Sequence, residues 1–132
     1  MKFITIKLIF TLSAFLLAIL GLGMTLATTA MLGNFGYDAN PASIHMARAA
    51  GGATLAIAVM VWLARKSAPS QARNALIIGL AVFFLLEAIV DLRGIMAGTV
   101  GPDGWYTGVL PWLVFFALTV IAGRSAMSET ES

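Results

Sequence analysis

The sequence contains no cysteine and a single histidine, His45, among its 132 residues. The absence of cysteine excludes disulfides, thiolate catalysis, iron–sulfur clusters and cysteine-type zinc sites. One histidine excludes a bis-histidine haem within one chain, and no spacing of His45 with Asp or Glu indicates a metal site. We therefore predict no cofactor and no bound metal.

Charge is also scarce. Charged residues make up 11% of the chain and hydrophobic residues 60%, whereas about 25% of residues are charged in ordinary soluble proteins. A soluble helical bundle needs a polar outer face on every helix, and so few polar residues cannot supply one to each. The eight Lys and Arg are scattered rather than gathered in a basic stripe, so we predict no nucleic-acid partner. The lipid bilayer is the predicted environment.

Four apolar stretches are long enough to cross that bilayer, since ~20 residues suffice for a helical span. Loops rich in Gly, Asn, Asp and Pro separate them, and Asn40-Pro41 is a typical helix start. The predicted spans are about residues 5–32, 41–65, 74–97 and 105–123. The predicted fold class is therefore all-α, an antiparallel four-transmembrane-helix bundle.

Residues 1–132 are expected to form a single integral membrane domain, with a polar, frayed tail at 125–132. A basic start before an apolar run also describes a signal peptide. The run from Leu8 to about Leu32 exceeds the ~7–15 residues of a signal core. We therefore expect it to be retained as the first span.

The distribution of Lys and Arg predicts the orientation, because cytoplasmic loops carry the excess of these residues. One side of the four spans holds Lys2, Lys7, Arg65, Lys66, Arg73 and Arg124. Both termini and the middle loop are thus predicted to be cytoplasmic, in a bacterial inner membrane.

Ionisable residues within the spans indicate the candidate site. A charge there costs roughly 2.5–3.5 kcal/mol on insertion scales, so it is normally paired, turned inward or functional. Glu87 and Asp91 are four apart and share one helix face, and Arg48 falls at nearly the same depth in the second span. We predict that Arg48 pairs with both carboxylates and docks the second span against the third.

One Arg against two carboxylates leaves excess negative charge. Arg93 or a protonated His45 balances it, or one carboxylate holds a proton. Arg93 is two positions from Asp91 and so points to another face, where it reaches the outer headgroups or Asp103.

Small residues in the second span predict close helix packing, as membrane interfaces prefer. Ala47 and Gly51 form one such row with Thr54, and Gly52 and Ala56 form another.

Two functions fit these features. The first is a non-enzymatic scaffold or accessory subunit, which associates with itself or with a larger membrane complex through its small-residue faces. The alternative is a small proton- or cation-coupled transporter, or a lipid- or small-molecule-binding protein, that uses Arg48, Glu87 and Asp91. No nucleophile system is visible, so we predict that the protein is not an enzyme.

Short motifs at 48–52 (RAAGG), 92–94 (LRG) and 102–104 (PDG) resemble those of a bacterial family of small four-helix membrane proteins of unknown function, similar in general character to DoxX-like proteins. The resemblance covers about residues 5–123. It implies a bacterial cytoplasmic membrane and the same four spans, and it implies no activity.

Overall fold

A computed structural model describes residues 5–131 of the chain. Residues 1–4 and 132, to which the predictions for Lys2 and for the last residue of the tail refer, lie outside the described part. Within it the protein is all-helical. Its helices are α1 (Ile6–Leu26), α2 (Thr28–Asn34), α3 (Pro41–Ala64), α4 (Gln71–Met96), a π-helical turn (Trp105–Val109) and α5 (Leu110–Glu131). Four segments are long and apolar enough to cross a membrane, namely α1, α3, α4 and Trp105–Glu131.

The first span is shorter than predicted, because α1 ends at Leu26 and the short helix α2 follows. Ala27, between them, leaves the helical conformation at φ −121° and ψ 44°. The Thr25 and Thr28 hydroxyls donate to main-chain carbonyls four residues earlier, at 2.6 and 2.7 Å. Such bonds often bend a helix, and α2 accordingly separates from α1.

The start of α3 confirms the prediction from Asn40-Pro41. The Asn40 side chain accepts from the Ser43 amide at 3.0 Å, and the Ser43 hydroxyl accepts from the Asn40 amide at 2.9 Å. This reciprocal cap satisfies two amides that the first turn leaves unpaired.

Helices α1 and α3 pack along each other at glycine. A Cβ added to Gly51 would lie 2.7 Å from the Thr25 hydroxyl and 3.0 Å from the Gly21 carbonyl oxygen. Gly51 and Ala47 are buried, as the predicted packing role requires, whereas Gly52 and Ala56 are exposed. The second row of small residues therefore faces outward.

Helix α4 packs along α5. The Phe84 and Trp112 rings stack there, with centroids 5.9 Å apart. Pro111 lacks an amide hydrogen, so the helix cannot continue its regular ladder through this point. The turn before it is π-helical, and the Leu110 amide bonds to the Trp105 carbonyl five residues earlier.

The pairing of helices corrects the prediction that the second span docks closely against the third. The close pairs are α1 with α3 and α4 with α5, and α1 also contacts α5. Side chains of α1, α3 and α4 meet in one apolar core through Leu17, Val61 and Phe84. Helices α3 and α4 are thus joined mainly through this core rather than by close backbone approach.

Helix α5 extends into the tail at 125–132 for which the sequence predicted fraying. Helix α5 continues to Glu131, and Arg73, only 6% exposed, donates to the Ala126 carbonyl at 2.7 Å and to Glu129 at 3.3 Å. The Asn74 amide group donates to the Thr130 hydroxyl at 3.2 Å. Helix α4 begins at Gln71, three residues earlier than predicted. Arg73 therefore lies in its first turn, from which it bonds to the C-terminal part of α5.

Candidate functional site

A cavity of about 200 Å³ lies between α1, α3, α4 and α5, and Phe35 and Tyr37 of the loop after α2 also line it. Most of its lining is apolar, from Leu20, Met24, Phe35, Ala50, Phe83, Val90 and Trp112. Its polar lining is Tyr37, Thr54, Glu87 and Asp91. A largely apolar pocket with a few convergent polar groups is the usual form of a small-molecule site, so this cavity is the candidate functional site.

Glu87 and Asp91 share one face of α4, as their spacing predicted, and both line the cavity. Asp91 is held in place, because the Trp112 indole nitrogen donates to its Oδ2 at 2.9 Å. Gly108 packs directly on the Asp91 side chain, leaving no room there for a Cβ. Asp91 therefore has one fixed orientation.

Glu87 differs from Asp91 in having no fixed partner. Across residues 5–131, no hydrogen bond or ion pair reaches its side chain. Its carboxylate oxygens are hydrogen-bond acceptors in a half-buried position. Glu87 is thus the carboxylate of the cavity whose acceptors are free to meet a ligand.

Tyr37 brings a third ionisable group to the cavity, from the loop between α2 and α3. Burial raises the pKa of its hydroxyl above the ordinary value of 10.0, and the negative charges of Asp91 and Glu87 raise it further. The hydroxyl therefore stays protonated at neutral pH, as a hydrogen-bond donor near both carboxylates.

The structure does not form the predicted cluster of Arg48 with Glu87 and Asp91. Arg48 is exposed, and within the described part of the chain it makes no ion pair. Ala50 is the α3 residue that lines the cavity at this level, and a residue two positions away on a helix points roughly 160° from it. A matching depth along the helix is therefore not enough for pairing, because Arg48 lies on the side of α3 opposite the cavity.

None of the possible contributors lines the cavity either. His45 and Arg93 are exposed on α3 and α4, and Asp103 is exposed in the loop before the π-helical turn. Asp103 lines a shallow pocket with Asn34 and Gly101, outside the bundle. The carboxylate pair therefore has no protein cation among residues 5–131 to balance it.

Metal binding also finds no support in geometry. No group of three or more His, Cys, Asp or Glu side chains in the described residues is placed to hold a metal ion. The cavity brings together two carboxylates and two hydroxyls.

Sequence reasoning missed Trp112 and Tyr37 as members of the site. A signal for Trp112 was available, since a tryptophan within a span needs an acceptor for its indole N–H. Asp91, in the neighbouring span, was an available acceptor. Tyr37 had no such signal, because only the fold of the loop places it over the cavity.

Comparisons of the chain with protein-family models, with characterised proteins and with solved structures found no match.

Proposed function

We propose that this protein is a small transporter that binds a cationic solute in the cavity beside Glu87 and Asp91 and exchanges it for protons. The observation that carries the proposal is the pair of carboxylates in a cavity within the bundle, with no protein cation paired to them among residues 5–131. Unpaired charges at this depth are costly. A proton or a cationic solute neutralises them, and competition between the two couples their movements.

The proposed setting is a bacterial cytoplasmic membrane, with both termini and the loop at 65–70 on the cytoplasmic side. The excess of Lys and Arg on that side supports it. The cavity then lies toward the outer surface, where the loop carrying Tyr37 covers it. The protein binds and moves its solute without chemical change and is not an enzyme.

Proton release from liposomes tests the proposal. The full chain is reconstituted with a pH-sensitive dye inside, and organic and inorganic cations are added outside one at a time. We expect at least one cation to drive protons outward. Glu87→Gln abolishes this flux, whereas Glu131→Gln, the same change at an exposed position, retains it. Flux from no cation, or full flux from Glu87→Gln, would overturn the proposal.

A second candidate is the scaffold function, in which the chain associates with itself or with a larger complex. It is favoured by the outward face of α3, where Gly52, Ala56 and Arg48 are exposed. A Cβ added to Gly52 would meet nothing within 4 Å, so another helix can approach closely there.

A further inference from the structure

The walls of the cavity indicate what kind of cation fits. Aromatic rings of Phe35, Phe83 and Trp112 stand beside the two carboxylates, and the Phe83 and Trp112 rings meet edge to face at 6.2 Å. Such walls bind apolar groups and attract a positive charge to their ring faces. They therefore suit a solute with an apolar body and one charged end.

A bare metal cation fits this lining poorly. Calcium takes six to eight oxygen ligands, and magnesium requires a near-octahedral shell. The side-chain oxygens that line the cavity come only from Glu87, Asp91, Thr54 and Tyr37. The Thr54 hydroxyl already donates to the Ala50 carbonyl at 2.8 Å. An inorganic ion would lose its hydration shell without gaining enough protein oxygen ligands to replace it.

The two carboxylates also differ in whether a protein group already donates a hydrogen bond to them. Asp91 already accepts from Trp112 at 2.9 Å, whereas no donor within residues 5–131 reaches Glu87. A carboxylate with unfilled acceptors is best satisfied by a cation that carries N–H groups, because charge-assisted hydrogen bonds are about twice as strong as neutral ones. A quaternary ammonium has no such hydrogen.

We propose that the solute is a small primary amine in its protonated form, with its ammonium group on Glu87 and its apolar body against Phe83 and Trp112. The size agrees, since a cavity of ~150 Å³ accepts benzene and this one measures about 200 Å³. This inference rests on the proposed function and specifies its substrate class. The exchanged proton competes with the ammonium group for Glu87, whereas Asp91 stays bound to the Trp112 indole.

Calorimetry on the full chain in detergent tests the inference with four probes. These are benzylammonium, benzyltrimethylammonium, benzyl alcohol and potassium. We expect benzylammonium to bind at least about tenfold more tightly than the trimethyl compound, because only the former donates hydrogen bonds. Benzyl alcohol and potassium should give no heat of binding above the buffer control.

Variants locate the ammonium group. Glu87→Gln weakens benzylammonium binding by about 10- to 100-fold, the range expected for loss of a charged hydrogen-bond partner, while Glu131→Gln binds like the unaltered protein. Asp91→Asn has the smaller effect. Circular dichroism checks that each variant folds. Should Glu87→Gln fail to fold, Glu87→Asp, which retains the charge on a shorter side chain, is expected to bind with intermediate affinity.

The outcomes separate the inference from the proposed function. Equal or tighter binding of benzyltrimethylammonium, binding of potassium alone, or unchanged affinity in Glu87→Gln or Glu87→Asp would overturn the amine assignment. Cation-driven flux that depends on Glu87 would still stand in the first two cases. Conversely, benzylammonium binding without any flux in liposomes would overturn transport and leave the amine site in place.

Discussion

Tyr37 is an ionisable group of the cavity that comes from a loop rather than from a membrane-spanning helix. The residue is 38% exposed, so it faces both the cavity and the surroundings. Burial and the two carboxylates raise the pKa of the Tyr37 hydroxyl. Since Tyr37 lies outside the spans, the pH at which it ionises is a measure of the negative charge in the cavity.

The titration of Tyr37 is therefore predicted to depend on Asp91. Its folded-state pKa lies above the value of about 10 for an unfolded tyrosine. The protonated hydroxyl thus stabilises the fold below that pH, and the contribution is lost as pH rises through the folded pKa. We expect Asp91→Asn to lower the Tyr37 pKa and Asp103→Asn to leave it unchanged. Tyrosinate absorbance, with Tyr37→Phe as reference, measures both, and an equal effect of the two variants would contradict the cavity geometry.

At the scale of residues, the sequence predicted which carboxylates share a face but not that Arg48 points away from them. The spacing of Glu87 and Asp91 fixes their relative direction on one helix. The direction of Arg48 relative to α4 depends on how α3 is rotated about its axis, which depth alone does not determine. That rotation follows from Gly51, which turns toward α1.

At the scale of helices, the contact of α1 with α3 depends on glycine at two facing positions. Gly21 and Gly51 lie so close that a Cβ on either would overlap the other helix, with contacts of 2.7–3.0 Å. No larger residue fits there without separating the two spans.

We predict that Gly51→Ala lowers the free energy of unfolding by about 1–3 kcal/mol, the usual cost of overpacking. Gly79→Ala serves as the matched control, because a Cβ there would meet nothing within 4 Å. Gly79→Ala should leave the free energy of unfolding unchanged or raise it by up to about 1 kcal/mol, because alanine favours the helix more than glycine does. Unfolding in mixed micelles, followed by circular dichroism, gives both values, and equal stability of the two variants would refute the close approach.

The sequence predicted the two rows of small residues on α3 but not which helix packs against each row. Both rows have helical spacing, and both permit close approach. Only the bundle decides that the row with Ala47 and Gly51 meets α1, while Gly52 and Ala56 remain outside. The pairing of α4 with α5 could not be predicted from the sequence either, because short loops make several antiparallel arrangements possible.

At the scale of the whole molecule, the outward face of α3 carries a charge without a partner in the described chain, Arg48. Near the end of a span such a side chain reaches the headgroups or an acidic group of another protein. Beside it, Gly52 and Ala56 leave a shallow strip that a second helix can enter.

Self-association through this strip is predicted to weaken by about tenfold, or about 1.4 kcal/mol, in Gly52→Leu. The larger side chain blocks close approach of a second α3. Gly79→Leu is the control, since Gly79 is equally open on α4. Energy transfer between labelled chains in liposomes measures the association. An absence of transfer in the unaltered protein, or equal transfer in both variants, would argue against the scaffold function.

The spans were the most predictable feature, because hydropathy over about 20 residues is a property of each segment alone. The contact of the tail with α4 was not predictable, since it depends on Arg73 reaching the Ala126 carbonyl of α5. Long-range contacts of this kind leave no local pattern in the sequence.

The stacked indole of Trp112 also gives the molecule a built-in optical probe. Its ring lies against Phe84, and its N–H points at Asp91 inside the cavity. Trp62 and Trp105 are both more exposed, and replacing them with phenylalanine leaves Trp112 as the single tryptophan, which can be excited selectively at wavelengths that tyrosine does not absorb. The colour and intensity of its fluorescence would then follow occupancy directly, without any attached dye.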